Sequence, residues 1–337
     1  MFQAVTIKHI AQALSISPST VSRALRDSHE VSVETKKLVL EYAKKINYRS
    51  NPIAQSLKNR RSKSIGVLVA DVANSFFSQA VNGIESVAYE KGYHVIITQS
   101  YDSYNREVIN IEHLANRSVD GLLISMSSET TNYSHVIGLH ERGLPLVFFD
   151  RIIEEIDTFK VTTDNFRSAF EATELLIRKG FERIGYLANA PQLSITIDRL
   201  KGYSSALAAY DMEVDERLIK YCYEGGRNPT EIEVALTDLL SGSVNTDALL
   251  IASDRISTET VRFLTALGLP QRFTIIGFSN SDIIDLLSPR ISFIRQNAFE
   301  MGQIAAQKLI RLIESKYPVY EFETTMLNAE LHWTGPV

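Results

Sequence analysis

VTIKHIAQALSISPSTVSRAL, residues 5–25, decides how the amino-terminal part of this chain folds. Ile7, Ile10, Ala11 and Leu14 repeat at i, i+3, i+4 and i+7, the stripe of a short amphipathic helix. The pattern breaks at Ser15–Ile16. Ser17 then supplies an N-cap hydroxyl, and Pro18 takes the first helical position, where its missing N–H costs nothing. Val21, Ala24 and Leu25 form the apolar side of this second helix; Ser19, Thr20, Ser22, Arg23 and Arg26 form its outer face. Short hydroxyls and guanidinium groups on one face suit a helix lying in the major groove of DNA, donating to phosphates and base edges. Taken alone, the stretch also fits an ordinary helical hairpin in a core.

The next segments narrow that choice. A third helix is expected from the N-cap Ser32 through Ile46, with Val39, Tyr42, Ala43 and Ile46 on one side. Glu34 in its first turn and Lys44 and Lys45 in its last complement the macrodipole. Residues 1–64 hold twelve Lys and Arg against four Asp and Glu, a net charge of +8; the whole chain carries −5, which leaves −13 for the remainder. A basic module joined to an acidic body points to nucleic acid at one end only. Between them, NPIAQSLK (residues 51–58) has a capping Asn51, Pro52 in the first helical turn, and Ile53, Ala54 and Leu57 on one side. Eight residues are too few for a stable isolated helix, so it is expected to form only with DNA and a second copy present.

From Ser64 the pattern changes to short apolar runs separated by helical stretches: SIGVLVA (64–70), HVIITQ (94–99), GLLIS (121–125), LVFF (146–149), IGYLA (184–188), ALLIA (248–252) and TIIGF (274–278). Such runs alternating with helices argue for parallel sheets covered on both faces, and roughly 270 residues suffice for two lobes. Open parallel sheets bind ligands beyond the carboxyl ends of their strands. That rule selects Asn74, Ser75, Phe76 and Phe77, then Ser100, Ser125, Asp150 and Arg151, and in the second half Ser253, Asp254, Ser279 and Asn280. Aromatic faces beside directed hydrogen-bonders are what a sugar needs.

Val5–Leu25, EVSVETKKLVLEYAKKINYRSN (30–51), PIAQSLKNRRSKSIGVLVADVANSFF (52–77) and VDGLLIS (119–125) together resemble the lactose repressor (LacI) family of bacterial transcription regulators, over essentially the whole chain. The resemblance implies a small all-α helix-turn-helix headpiece (1–50), a hinge helix and linker (51–63), and an α/β two-lobed periplasmic-binding-protein-like domain of parallel sheets flanked by helices (64–337). It places lobe one at about 62–161 plus 291–322 and lobe two at about 162–290 plus the C-terminal strand, with three crossings between them. It also implies that Leu57 acts as a minor-groove wedge, that Ala54 lets two hinges approach, and that Pro18, Ser19 and Arg23 read bases. Thr6, Ser17, Ser22, Arg26, Asn47 and Tyr48 would then sit on phosphates. Arg199, in DRLKGY, matches the family's effector-binding arginine, and Asp164 and Gln296 are weaker candidates at the crossings. Three positions depart from the family: Ser50 replaces a usual proline, Ser253 a frequent Asn and Ser279 a frequent Asp. The last two suggest a bulkier or more anionic effector than a neutral monosaccharide.

The expected function is therefore that of a sequence-specific DNA-binding transcriptional regulator, a repressor, whose operator affinity is set by a carbohydrate-related small molecule bound between the lobes. Its partners would be a pseudo-palindromic double-stranded operator and a second copy of itself, since a two-fold dimer presents two headpieces about one helical turn apart. No heptad tail follows TMLNAELHW (325–333), so a homodimer is expected rather than a tail-mediated tetramer. An exported sugar-binding protein lacks the headpiece, and residues 1–25 show no signal-peptide core. An α/β enzyme is the other alternative, yet no G-x-S-x-G, Walker or GxGxxG motif appears. The seven His show no ligand spacing, with His135 and His140 placed on a surface helix, so no catalytic residue, cofactor or metal is expected. A single cysteine, Cys222, suits a reducing cytoplasm, and no run approaches a membrane span. The expected location is cytoplasmic, with nucleoid association on operator binding.

Overall fold

The structure, a computed structural model, describes residues 6–48, 61–116, 119–241, 246–284 and 291–334. The chain divides into two compact units, 1–62 and 63–337. The hinge expectation, including Asn51, Ala54 and Leu57, lies outside the described residues.

In the first unit, α1 (Ile7–Ala13), α2 (Pro18–Ala24) and α3 (Val33–Lys45) follow the expected pattern. Ser15, at φ 54°, turns the chain out of α1. The Ser17 hydroxyl accepts from Thr20 N at 3.1 Å, and Ser32 caps α3 by accepting from Thr35 N at 3.2 Å. Ile10, Ala11, Val21, Ala24, Val31, Val39 and Ala43 are buried together, flanked by Leu14, Leu25, Tyr42 and Ile46. Three helices of this length hold only because each donates its stripe to that shared core.

The second unit contains two six-stranded sheets. The first sheet holds β1 (Ser64–Val69), β2 (His94–Gln99), β3 (Gly121–Ile124), β4 (Leu146–Phe149), β5 (Lys160–Thr163) and β11 (Thr324–Leu327), in the order 11-5-4-3-1-2, all parallel. The second holds β6 (Ile184–Ala188), β7 (Ile219–Tyr221), β8 (Ala248–Ile251), β9 (Thr274–Phe278), β10 (Ser292–Gln296) and β12 (Ala329–His332), in the order 12-10-9-8-6-7, with only β12 antiparallel. The inner strands β1, β3, β4, β6 and β8 are buried on both faces, as parallel sheets require, while the edge strand β2 stays partly exposed. On the first sheet, α4 (Ser75–Glu90) packs on α11 (Ala298–Glu314). A Cβ on Gly83 would overlap the Phe299 carbonyl oxygen and one on Gly302 the Ala80 carbonyl oxygen. These paired glycines set how closely the two helices approach.

The lobe limits differ from expectation in two places. β10 pairs with β9, so residues 292–296 belong to the second lobe and the chain crosses back after Gln296, not before 291. TMLNAELHW is two strands rather than one: β11 extends the first sheet beside β5, and β12 pairs with β10 in the second. Asn328 separates them. A period-two run carries no record of which sheet it joins, so the split is set by where the two sheets part company. With the crossing between β5 and α7 (Asn165–Arg178), the chain passes between lobes three times.

Candidate functional site

Two sites emerge, one in each unit. In the headpiece, Thr6, Ser17, Pro18, Ser19, Arg23, Arg26 and Asn47 are exposed; Thr20, Ser22 and Tyr48 are half-buried. The hydroxyls of α2 are tied to one another: Ser17 Oγ lies 2.7 Å from Ser19 Oγ and 2.8 Å from Thr20 Oγ1. Arg26 donates through Nε to the Ser22 carbonyl oxygen at 2.9 Å and through Nη2 to Ser22 Oγ at 2.8 Å. Arg23 forms an ion pair with Glu30 at 3.0 Å, both half exposed. This pair orients the guanidinium along the exposed face, where it costs little to exchange for a base edge. The arrangement can donate to an anionic, groove-shaped partner from one helix face.

The second site is a cavity of about 50 Å³ between the carboxyl ends of the two sheets. From the first lobe, Asn74, Phe76 and Phe77 line it where β1 leads into α4, and Asp150 and Arg151 where β4 ends. Asn74 caps α4 by accepting from Phe76 N at 2.9 Å. The second lobe contributes Ser253, Asp254, Ser279 and Asn280 at strand ends, and Arg199 from α8 (Ser194–Ala209). Gln296, at a crossing, donates to Thr163 Oγ1 at 2.8 Å and thus ties the lobes together. Eleven of the fifteen candidates therefore line it; Ser75, the first residue of α4, does not. Ser100 and Ser125 do not: both are fully buried behind the strand ends. Asp164 instead caps α7, accepting from Arg167 N at 3.0 Å. Asn189, Ile195 and Phe278 line the cavity without having been selected. Asn189 directly follows β6, so the strand-end rule applied there would have found it; Phe278 is the last residue of β9.

The electrostatics of the cavity are asymmetric. Arg199 is 2% exposed, donates to Asn165 Oδ1 at 2.8 Å and to the Ala252 carbonyl, and stacks 3.6 Å from the Phe278 ring centre. Burial pushes its guanidinium down to about 10, although the Asp150 charge opposes that. Asp150 is 4% exposed with its backbone at φ 60°, and its nearest cationic atom is Arg151 Nε at 3.9 Å. Burial raises its pKa, Arg151 and Arg199 only partly compensating. Asp102 resists its own burial through Arg151 and the Ser128 N–H, which hold its carboxyl below the usual range. Arg151 Nε and Asn189 Oδ1 are buried without hydrogen-bond partners. Buried groups so placed are costly unless something fills the cavity and bonds to them.

The departures at 253 and 279 read differently in three dimensions. Ser253 caps α10 (Asp254–Ala266), accepting from Ile256 N at 3.4 Å, and Ser279 donates to Asp254. A carboxylate is thus still present beside position 279, supplied one element away by Asp254. No His or Cys lines the cavity, and no group of three or more His, Cys, Asp or Glu among the described residues could hold a metal ion. His135 is not a surface residue: its side chain is 6% exposed and its Nε2 lies 3.0 Å from the buried Glu107 carboxylate.

The model for "Bacterial regulatory proteins, lacI family" matches residues 6–51, and that for a periplasmic binding protein domain matches residues 65–284. The chain belongs to the LacI family. It is a transcriptional regulator with a helix-turn-helix DNA-binding domain and a periplasmic-binding-protein-like effector domain. This LacI-family chain is 28% identical to the HTH-type transcriptional regulator RegA of Clostridium saccharobutylicum, over 97% of this chain and 99% of that one. It is 29% identical to the ribose operon repressor of Haemophilus influenzae, over 96% and 95%. Among solved structures, the transcriptional regulator CelR in complex with cellobiose superposes with a TM-score of 0.71 at 26% identity, covering 98% of both chains. No helix among the described residues is long and apolar enough to cross a membrane.

Proposed function

We propose that this LacI-family regulator is a repressor that binds a pseudo-palindromic operator as a homodimer and changes its operator affinity when a sugar or sugar derivative occupies the interlobe cavity. The observation that carries the effector reading is that Arg151 Nε and Asn189 Oδ1, a donor and an acceptor in the cavity wall, are buried without hydrogen-bond partners, with the buried Asp150 carboxylate 3.9 Å from Arg151 Nε. A hydroxyl can donate to one and accept from another, while Phe76, Phe77 and Phe278 cover an apolar ring face. The relatives named for ribose and cellobiose support the same ligand class. Asn74, Phe76, Phe77, Asp150, Arg151, Arg199, Ser253, Asp254, Ser279 and Gln296 form its site. The cavity of about 50 Å³ is enclosed between the two sheets, so a sugar enters when the lobes part.

On the DNA side, Arg23 reads a base with Pro18 and Ser19 beside it, Thr20 lies on the same DNA-facing helix, and Thr6, Ser17, Ser22, Arg26, Asn47 and Tyr48 position the headpiece on phosphates. Asn51, Ala54 and Leu57 form the hinge. The homodimer uses the first lobe, where edge strand β2 and the following helix α5 (Tyr104–Asn116) leave Ile97 and Ile109 exposed by 43% and 52%. An uncovered edge strand of this kind invites a partner. The effector must bind the operator-competent and operator-incompetent lobe arrangements with different affinity, since otherwise nothing shifts. The protein acts in the cytoplasm, at the nucleoid when on its operator, and is not an enzyme. Selection of genomic fragments by the purified protein at moderate salt tests this reading. A recovered pseudo-palindrome supports it, and its neighbouring genes nominate the effectors; no enrichment, with or without metabolite extract, refutes it.

A further inference from the structure

We propose that Arg227 is the positioning residue of a clasp that closes the two lobes over the effector cavity by stacking on Tyr101, the neighbour of Asp102. The proposal deepens the effector reading above and rests on it. On the first lobe, Tyr101 and Asp102 are consecutive residues with φ of 50° and 62°. Left-handed backbone is costly for residues with a side chain, and two in succession persist only where the surroundings hold them. The Asp102 carboxylate supplies part of that hold, accepting from Ser128 N at 2.9 Å and pairing with Arg151 of the cavity wall.

Across the cleft, the second lobe presents a left-handed turn of its own, at Gly225 (φ 60°) and Gly226 (φ 85°). A Cβ on Gly225 would stand 3.3 Å from Asn189 Oδ1 and 3.9 Å from Asp102 Oδ2. The turn therefore runs over a cavity-lining residue of its own lobe and directly against the other lobe. The next residue, Arg227, places its guanidinium 4.9 Å from the centre of the Tyr101 ring, and its charge acts on Asp102. A Cβ on Gly226 would meet Arg255 Cγ at 3.1 Å, and Arg255 pairs across the cleft with Asp71 at 2.5 Å. Two guanidinium groups flanking one glycine turn thus grip the opposite lobe at adjacent points.

This geometry links closure to the cavity. Asp102 answers both to Arg227 from the far lobe and to Arg151 beside Asp150, so parting the lobes removes one of the contacts that keep the Tyr101–Asp102 turn and Arg151 in place. The effector enters when the clasp is open and is enclosed when it shuts. Its apparent affinity therefore scales with the fraction of molecules in the binding-competent arrangement.

The test needs neither effector nor DNA, so its failure is separable from failure of the regulator reading. Thr131 on the first lobe and Glu233 on the second are exposed; Thr131→Cys and Glu233→Cys in the full chain carry spin labels. Cys222 is buried with its thiol pushed up to about 12, so the parent chain serves as the unlabelled control. Pulsed electron spin resonance then reads the distance between lobes. The doubly labelled protein is expected to show one dominant short distance. Arg227→Ala should raise the ratio of long to short distances about two- to five-fold, the scale of an exposed cation–π contact. Tyr101→Phe keeps the ring and should match the parent. The proposal is overturned if Arg227→Ala, folded by circular dichroism, leaves the distribution unchanged. It is equally overturned if Tyr101→Phe opens the lobes as far as Arg227→Ala, or if the long distance already dominates in the parent.

Discussion

Replacing Asp150 with Asn should make the effector-free protein more stable while removing its response to effector. The carboxylate is 4% exposed and lies 3.9 Å from the nearest cationic nitrogen, Arg151 Nε, beyond hydrogen-bonding distance. Burial raises its pKa despite Arg151 and Arg199, so the charged form is disfavoured in the fold relative to the unfolded chain. A carboxyl group whose folded pKa lies above its unfolded value binds protons more tightly when folded. Its contribution is favourable in acid and turns unfavourable as pH rises from the unfolded value, about 3.9, through the folded one. Asn removes the charge at nearly constant shape and tolerates the left-handed backbone at φ 60° as well as Asp does. A buried polar group left without a hydrogen bond costs about 1–3 kcal/mol, so a gain on the order of 1 kcal/mol is expected at pH 7.5. For a unit of this size that raises Tm by about 2–4 °C. Urea titrations of both proteins between pH 4.5 and 8 would measure it, with the difference growing as pH rises. A variant that is less stable at pH 7.5, or a difference independent of pH, would refute the argument that Asp150 is held charged at a cost for the sake of a ligand.

Other consequences can be measured separately. Arg23→Ala should weaken the selected operator by about 1–3 kcal/mol while leaving unrelated DNA nearly unaffected, as read by fluorescence anisotropy at fixed salt; an equal loss on all sequences would move Arg23 from base to phosphate. Arg199→Ala should keep operator binding and lose the effector response, since its two hydrogen bonds and its stacking on Phe278 all lie in the cavity wall. Unchanged effector affinity in isothermal titration would sink that assignment. Gly302→Ala should destabilise the second unit by about 1–3 kcal/mol in urea unfolding, because the added methyl overlaps the Ala80 carbonyl oxygen and forces α4 and α11 apart; an unaltered midpoint would mean that the helices have slack.

The cavity was largely legible because its residues sit at the carboxyl ends of apolar strands, a position that strand alternation alone reveals. That rule placed Asn74, Asp150, Arg151, Ser253 and Ser279 correctly but could not tell which strand-end side chains turn toward the opposite lobe. Ser100 and Ser125 end strands of the same sheet and are fully buried. Asn189, the residue directly after the IGYLA strand, obeys the same strand-end rule and lines the cavity. The clasp was not legible at all: Tyr101 and Arg227 stand 126 positions apart, and only closure of the lobes brings them together.

By itself the sequence determined the local elements: the stripes and caps of three headpiece helices, the charge division between headpiece and body, and the alternation that requires parallel sheets. Those follow from short-range physics, the period of a helix or strand and the hydroxyl that caps one. Tertiary structure alone decided which sheet each ambiguous strand joined, splitting residues 324–332 at Asn328. It also brought Asp254 to the hydroxyl of Ser279 and buried His135 against Glu107. These depend on contacts between distant segments, where burial and charge are set by what packs alongside, and no local pattern encodes that.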